Sequence, residues 1–75
     1  MEKVIELIKS EIKHLESRIE SSYNESDELR ENSYLLSNLG VDVDSREGEL
    51  YELRSGLQEE IDSLEDNLTI IEGLK

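Results

Sequence analysis

Between Met1 and Leu36 the residues Met1, Ile5, Ile8, Ile12, Leu15, Ile19, Ser22, Ser26, Leu29, Ser33 and Leu36 recur at alternating steps of four and three. That spacing returns each of them to one narrow stripe of an α-helix, and kept up over this length it is the a/d seam of a coiled coil. Glu, Lys, Ser and Arg fill the positions between, and neither glycine nor proline intervenes before Gly40. The pattern predicts one helix over about 2–39 with Gly40 as its C-terminal stop. Its weak stretch is Ser21 to Asp27, poor in helix formers and carrying serine at two successive seam positions. A break there, with Ser26 capping a new helix, is the alternative.

A short connection over 40–44 follows, and Asp44 with Glu47 three residues later has the form of a capping box. A second helix is predicted over about 45–73. Its apolar positions are Leu50, Leu53, Leu57, Ile61, Leu64, Leu68, Ile71 and then Leu74 or Lys75, with a double step of four at Leu57 and Ile61 that reads as a stutter. A connection this short favours an antiparallel hairpin. Folding about position 42 sets Leu15 opposite Leu68 and Ile19 opposite Leu64 and leaves the start of helix 1 overhanging. Ser22 and Ser26 then face the stutter, which suggests one local bend or polar pocket.

The overhang collects apolar residues on and beside the seam: Val4, Ile5, Leu7 and Ile8, with Ile70 and Leu74 widening the facing end of helix 2. These six are the expected oligomer interface. A chain of 75 residues builds a core worth only about 3–5 kcal/mol net, so help from another chain is expected. Disulfides cannot supply it, because there is no cysteine. The expected fold is therefore all-α, a single antiparallel two-helix coiled-coil hairpin over 1–75 that forms a homodimer resembling a four-helix bundle.

Charge narrows the function. Eight basic against twenty acidic side chains give a net charge of −12, which repels phosphates and anionic lipid, so no direct nucleic-acid or membrane binding is expected. The longest apolar runs are pairs such as Ile70-Ile71, and the N-terminus lacks the basic-then-apolar pattern of a secretory signal. The expected location is the cytoplasm, or the host cytoplasm for a viral chain.

Chemistry finds little to stand on. Asp42-Val43-Asp44 fits the first and third ligand positions of a calcium loop, but the turn glycine is replaced by Glu47 and the bidentate glutamate by Leu53. Glu11-Ile12-Lys13-His14 matches half of a di-iron ligand pair, with no second histidine to complete it. A narrow seam offers no pocket to perturb a carboxyl, and no nucleophile is set beside a base. No catalytic residue, cofactor or metal is expected, and the chain does not read as an enzyme.

What exceeds the needs of solubility is the acidic cluster of helix 2. Glu59, Glu60, Asp62, Glu65 and Asp66 fall within eight residues, Glu52 continues their stripe one heptad earlier, and no basic residue lies between Arg54 and Lys75. Like charges three or four apart are each unfavourable by a few tenths of a kcal/mol. These six are the expected partner-binding residues, for an adaptor or inhibitor that docks a basic protein. Imitation of DNA, as in small acidic viral proteins that block DNA-binding enzymes, is one alternative; a structural coiled-coil segment is another. Tyr34 and Tyr51 are expected to close the core at the loop end.

Overall fold

The computed structural model describes residues 2–74; Met1 and Lys75, both assigned above to the open end of the seam, lie outside the described residues. Three helices follow one another: α1 (Glu2–Glu31), α2 (Ser33–Asn38) and α3 (Val43–Gly73), with no strand among the described residues. The long helices α1 and α3 pack antiparallel as a hairpin of 58 × 15 × 12 Å.

Helix 1 runs without a break through Ser21–Asp27 and ends eight residues earlier than its pattern predicts. Seam packing holds the serine-rich stretch helical against its weak propensity. The interruption falls at Asn32, whose side-chain amide donates to the Glu28 carbonyl at 2.8 Å, competing with the backbone for that acceptor. Its backbone sits at φ −108° and ψ 15°, off the helical region, and the chain turns there into α2.

Gly40 does stop a helix, though it is α2. The Val41 amide donates to Leu36 and the Gly40 amide to Ser37, closing the last turn as a Schellman motif. That closure needs a residue at positive φ, and Gly40 supplies it at 83°. Asp42, and not Asp44, then caps α3: its carboxylate accepts from the Ser45 amide at 3.1 Å, so α3 begins at Val43.

Because the turn is made by α2 and lies earlier in the chain than position 42, the pairing register differs from the expected one. The contacts of Arg46 with Glu25, Arg54 with Ser22 and Ser26, and Arg30 with Glu47 join residues whose numbers total 71 to 80, centred on 76. Ile5 is 6 % exposed, so the helix ends are flush and the expected overhang is absent. Buried and half-buried residues of α1 are Ile5, Ile8, Ile12, Leu15, Ile19, Ser22, Ser26 and Leu29, plus Glu25 beside them. Those of α3 are Val43, Glu47, Leu50, Arg54, Leu57, Ile61, Leu64, Leu68 and Ile71.

The α3 series alternates four and three throughout. The stutter is therefore not a property of the fold: Arg54 occupies the seam position that the sequence pattern assigned to Leu53, and Leu53 is 41 % exposed. Ile12, Leu15, Leu57 and Ile61 form the buried core, flanked by Ile8, Ile19 and Leu64. Fully burying side chains of this size is worth about 1.5–3 kcal/mol each.

Candidate functional site

With α3 re-phased, letters a to g can be given to both helices, seam residues at a and d. Glu52, Glu59 and Asp66 then take f, the outermost line of α3; Asp62 takes b and Glu65 takes e, on one side of it. All five are exposed and none forms an ion pair among the described residues. Glu60, grouped with them above, takes g and turns to the opposite side, where it lines a groove with Glu11, Leu15, Ser63 and Leu64. The acidic cluster is thus five exposed carboxylates on the outer f, b and e positions of α3 and a separate Glu11 and Glu60 pair across the seam.

The five-carboxylate surface runs into a groove that the sequence pattern did not reveal. Gln58 donates to Asp62 at 3.1 Å, and Gln58 also lines a groove with Ile19, Tyr23, Tyr51, Arg54 and Ser55. Arg54 organises it. Its Nη1 donates to the Ser26 hydroxyl at 3.0 Å and more distantly to the Ser22 carbonyl at 3.5 Å, and its guanidinium carbon lies 4.4 Å from the centre of the Tyr23 ring. Such stacking on an aromatic face is worth about 0.5–1 kcal/mol where solvent reaches it.

The buried Ser22 hydroxyl donates back to the Ile19 carbonyl at 2.8 Å, so both seam serines are satisfied. Two small serines on α1 make room for the long stem of Arg54 on α3, and its charged head lies over the Tyr23 ring in the groove. The polar pocket expected at Ser22 and Ser26 exists, but its partner is Arg54 and not the Leu57/Ile61 pair, which belongs to the core. Alternation restored by stepping from Leu50 to Arg54 is the signal that would have found it.

Tyr34 and Tyr51 do not close the core at the loop end: they are 83 % and 67 % exposed. Both fall off the a/d stripe, and Leu50, Leu29 and Leu36 fill the space inside. Tyr51 is thereby free to form one wall of the Arg54 groove.

Ion pairs gather near the turn. Arg46 Nε lies 2.6 Å from Glu25 Oε2 and its Nη1 lies 3.0 Å from Glu49, while Arg30 reaches Glu47 at 3.4 Å. The hydrogen bond from Arg46 is the main cause holding the Glu25 carboxyl below its ordinary range, and Glu25 and then Glu49 raise the Arg46 guanidinium in turn. Solvent reaches all of these side chains, half-buried Glu25 and Glu47 included, so the pairs define geometry more than they stabilise.

Of the six residues expected at an oligomer interface, Ile5 and Ile8 are consumed by the hairpin's own seam, whereas Val4, Leu7, Ile70 and Leu74 are exposed. The last four occupy g and c positions, which place them on the same side of the hairpin as Glu11 and Glu60. No group of His, Asp and Glu that could hold a metal ion occurs among the described residues, and no helix of the described chain is long and apolar enough to cross a membrane. Compared with known proteins, the chain matches no family model, no curated protein and no solved structure.

Proposed function

We propose that the hairpin is a non-enzymatic protein-interaction module, an adaptor or inhibitor that docks a basic protein partner on the outer side of α3 and self-associates through its exposed aliphatic residues. The supporting observation is the set of Glu52, Glu59, Asp62, Glu65 and Asp66, exposed and without ion pairs among the described residues, joined through the hydrogen bond from Gln58 to Asp62 to the groove of Tyr23, Tyr51 and Arg54. Unpaired carboxylates steer a cationic partner, and a tyrosine-arginine groove has the composition of an interface anchor. Glu60 contributes to the field of the helix but not to this surface.

Imitation of DNA asks for denser charge than one copy carries. Net −12 along 58 Å is one charge per about 5 Å, against one per about 1.7 Å in the duplex. Side-by-side pairing would roughly halve the spacing and still fall short, so a protein partner of ordinary basic surface is the better fit.

The test is a pull-down from the native host with wild type and with Glu59→Lys/Asp62→Lys/Asp66→Lys, each checked for helicity by circular dichroism. Wild type should retain a partner whose capture weakens with added salt, and the folded variant should lose it. Equal retention by the charge-reversed protein would refute the acidic surface as the docking site.

A further inference from the structure

Lettering the exposed apolar residues by heptad position divides them by chemistry. Val4, Leu7, Leu53, Ile70 and Leu74 all take c or g, whereas Tyr23 and Tyr51 take e. Leu35 joins the first group, since it shares a groove with Glu25, Glu28 and Asn32 on that side, and Leu39 follows it one turn later at the loop end. In an antiparallel hairpin the c and g positions of both helices lie on one side and the b and e positions on the other. One side is thus aliphatic, the other aromatic.

Charge follows the same division. Glu11, Glu25, Glu28, Glu49 and Glu60 against Arg18 and Arg46 leave the aliphatic side at −3, half the −6 of the b and e side, where nine carboxylates meet Lys9, Lys13 and Arg30. The f line of α3 adds its own three carboxylates facing away. The side with the apolar residues is also the side that a second acidic chain could approach with least repulsion.

We infer that the c and g face binds a second copy of this chain, reversed end for end about Leu53. This rests on the reading of the chain as a self-associating module and specifies its face and direction. Reversal lays Val4, Leu7, Ile70 and Leu74 of one copy over Leu35 and Leu39 of the other and sets the two Leu53 side chains together at the centre. It also brings Arg46, which bridges Glu25 and Glu49 within its own chain, to the level of the partner copy's Glu11 and Glu60, which have no basic partner of their own among the described residues. A parallel copy would stack those two carboxylates on their equivalents. The face outlines 58 × 15 Å, about 870 Å², so only a copy lying along its whole length has room to bury the roughly 800 Å² each partner contributes to a standard stable interface. Pairing this way turns both five-carboxylate surfaces outward.

Single-cysteine variants of the full chain test it, because the natural sequence has no cysteine to interfere. Sedimentation equilibrium of wild type should show a dimer, and Leu53→Glu should weaken it by at least tenfold while helicity persists. Under mild oxidation Leu53→Cys should form a symmetrical disulfide. Leu7→Cys should cross-link to Leu39→Cys in a mixture faster than to itself, and Thr69→Cys, on the opposite side, should stay unlinked. A wild-type monomer at every concentration, preferential self-linkage of Leu7→Cys, or rapid linkage of Thr69→Cys would each overturn the assignment. The Glu59→Lys/Asp62→Lys/Asp66→Lys protein should dimerise as wild type does, so failure of the dimer and failure of the acidic docking surface register in different experiments.

Discussion

The half of the hairpin near the turn and the half near its open end obey different physics. Near the turn, the seam passes through Ser22, Ser26, Arg54 and Glu47 around the buried Leu50 and half-buried Leu29, and the four ion pairs of the described residues cluster around Arg30 and Arg46. Toward the open end the seam is Ile5, Ile12, Leu15, Leu57 and Ile61 with half-buried Ile and Leu between, and no ion pair joins the helices among the described residues. Directional contacts define how the helices align; apolar burial holds them together. The separation also leaves the acids of α3 uncompensated where the helix has no basic residue, from Gln58 to Leu74.

The strongest way to break this contrast is to empty the apolar half. Leu15 is 2 % exposed, and Leu15→Ala is expected to cost about 2–5 kcal/mol, comparable to the whole stability of a chain this small. Far-ultraviolet circular dichroism during urea titration should show the variant largely unfolded at room temperature. A cooperative transition near the wild-type midpoint would mean that the open half is not the source of stability.

The turn half should respond in kind as well as in amount. Arg54→Ala removes the donor to Ser26 and leaves a buried hydroxyl short of a partner, with an expected loss of about 1–3 kcal/mol. Replacing the layer as a set, with Ser22→Ala, Ser26→Leu and Arg54→Leu, should instead be neutral or stabilising in the same titration. The expected deficit is in uniqueness: a seam of uniform aliphatic character admits slipped registers, which would broaden or multiply amide resonances. A sharp single set of resonances in the triple variant would show that the polar layer does not select the register. Asp42→Ala, which removes the α3 cap, should lower stability by about 1 kcal/mol, seen as a lower urea midpoint at unchanged slope.

How far the sequence could be read follows the same division. Helix 1 announces itself because nearly every a and d position up to Ile19 is Ile or Leu, and the hairpin follows from two such seams joined by a short connection. Arg54 breaks the reading on α3. Leu53 beside it looks like a seam residue, and the signals against it are the four-three alternation restored through Arg54 and the complementary smallness of Ser22 and Ser26, which leaves room for a long charged stem. The turn was half legible: Gly40 stops a helix, but capture of the Glu28 carbonyl by Asn32 is a competition that propensity does not decide. Moving the fold point by a few residues shifted the register by about two helical turns. That shift removed the overhang, while the stutter vanished separately because Arg54 takes the seam position assigned to Leu53. The acidic surface was legible as composition, yet its division into five outward carboxylates and a turned-away Glu60 depends on the phase that Arg54 sets.

Two smaller effects sharpen the electrostatic side of the contrast. In the open half, Glu60→Lys places a cation across the groove from Glu11 and, at concentrations where the chain is monomeric, should raise stability by about 0.2–0.5 kcal/mol at low salt, a gain that thermal melts at rising ionic strength should erase. Near the turn, the folded Glu25 carboxyl lies below its ordinary range chiefly because Arg46 donates to it. A depressed folded value means that the contribution is fully present above the unfolded pKa of about 4.5 and is lost as pH falls through the lower folded value. Carboxyl resonances followed through an acid titration should therefore show Glu25 among the last glutamates to take up a proton, and Arg46→Gln should return it to the ordinary range. If Glu25 titrated identically in both proteins, the 2.6 Å contact would not persist in solution. The turn would then be held by the Schellman closure at Gly40 and the cap at Asp42, without help from charge.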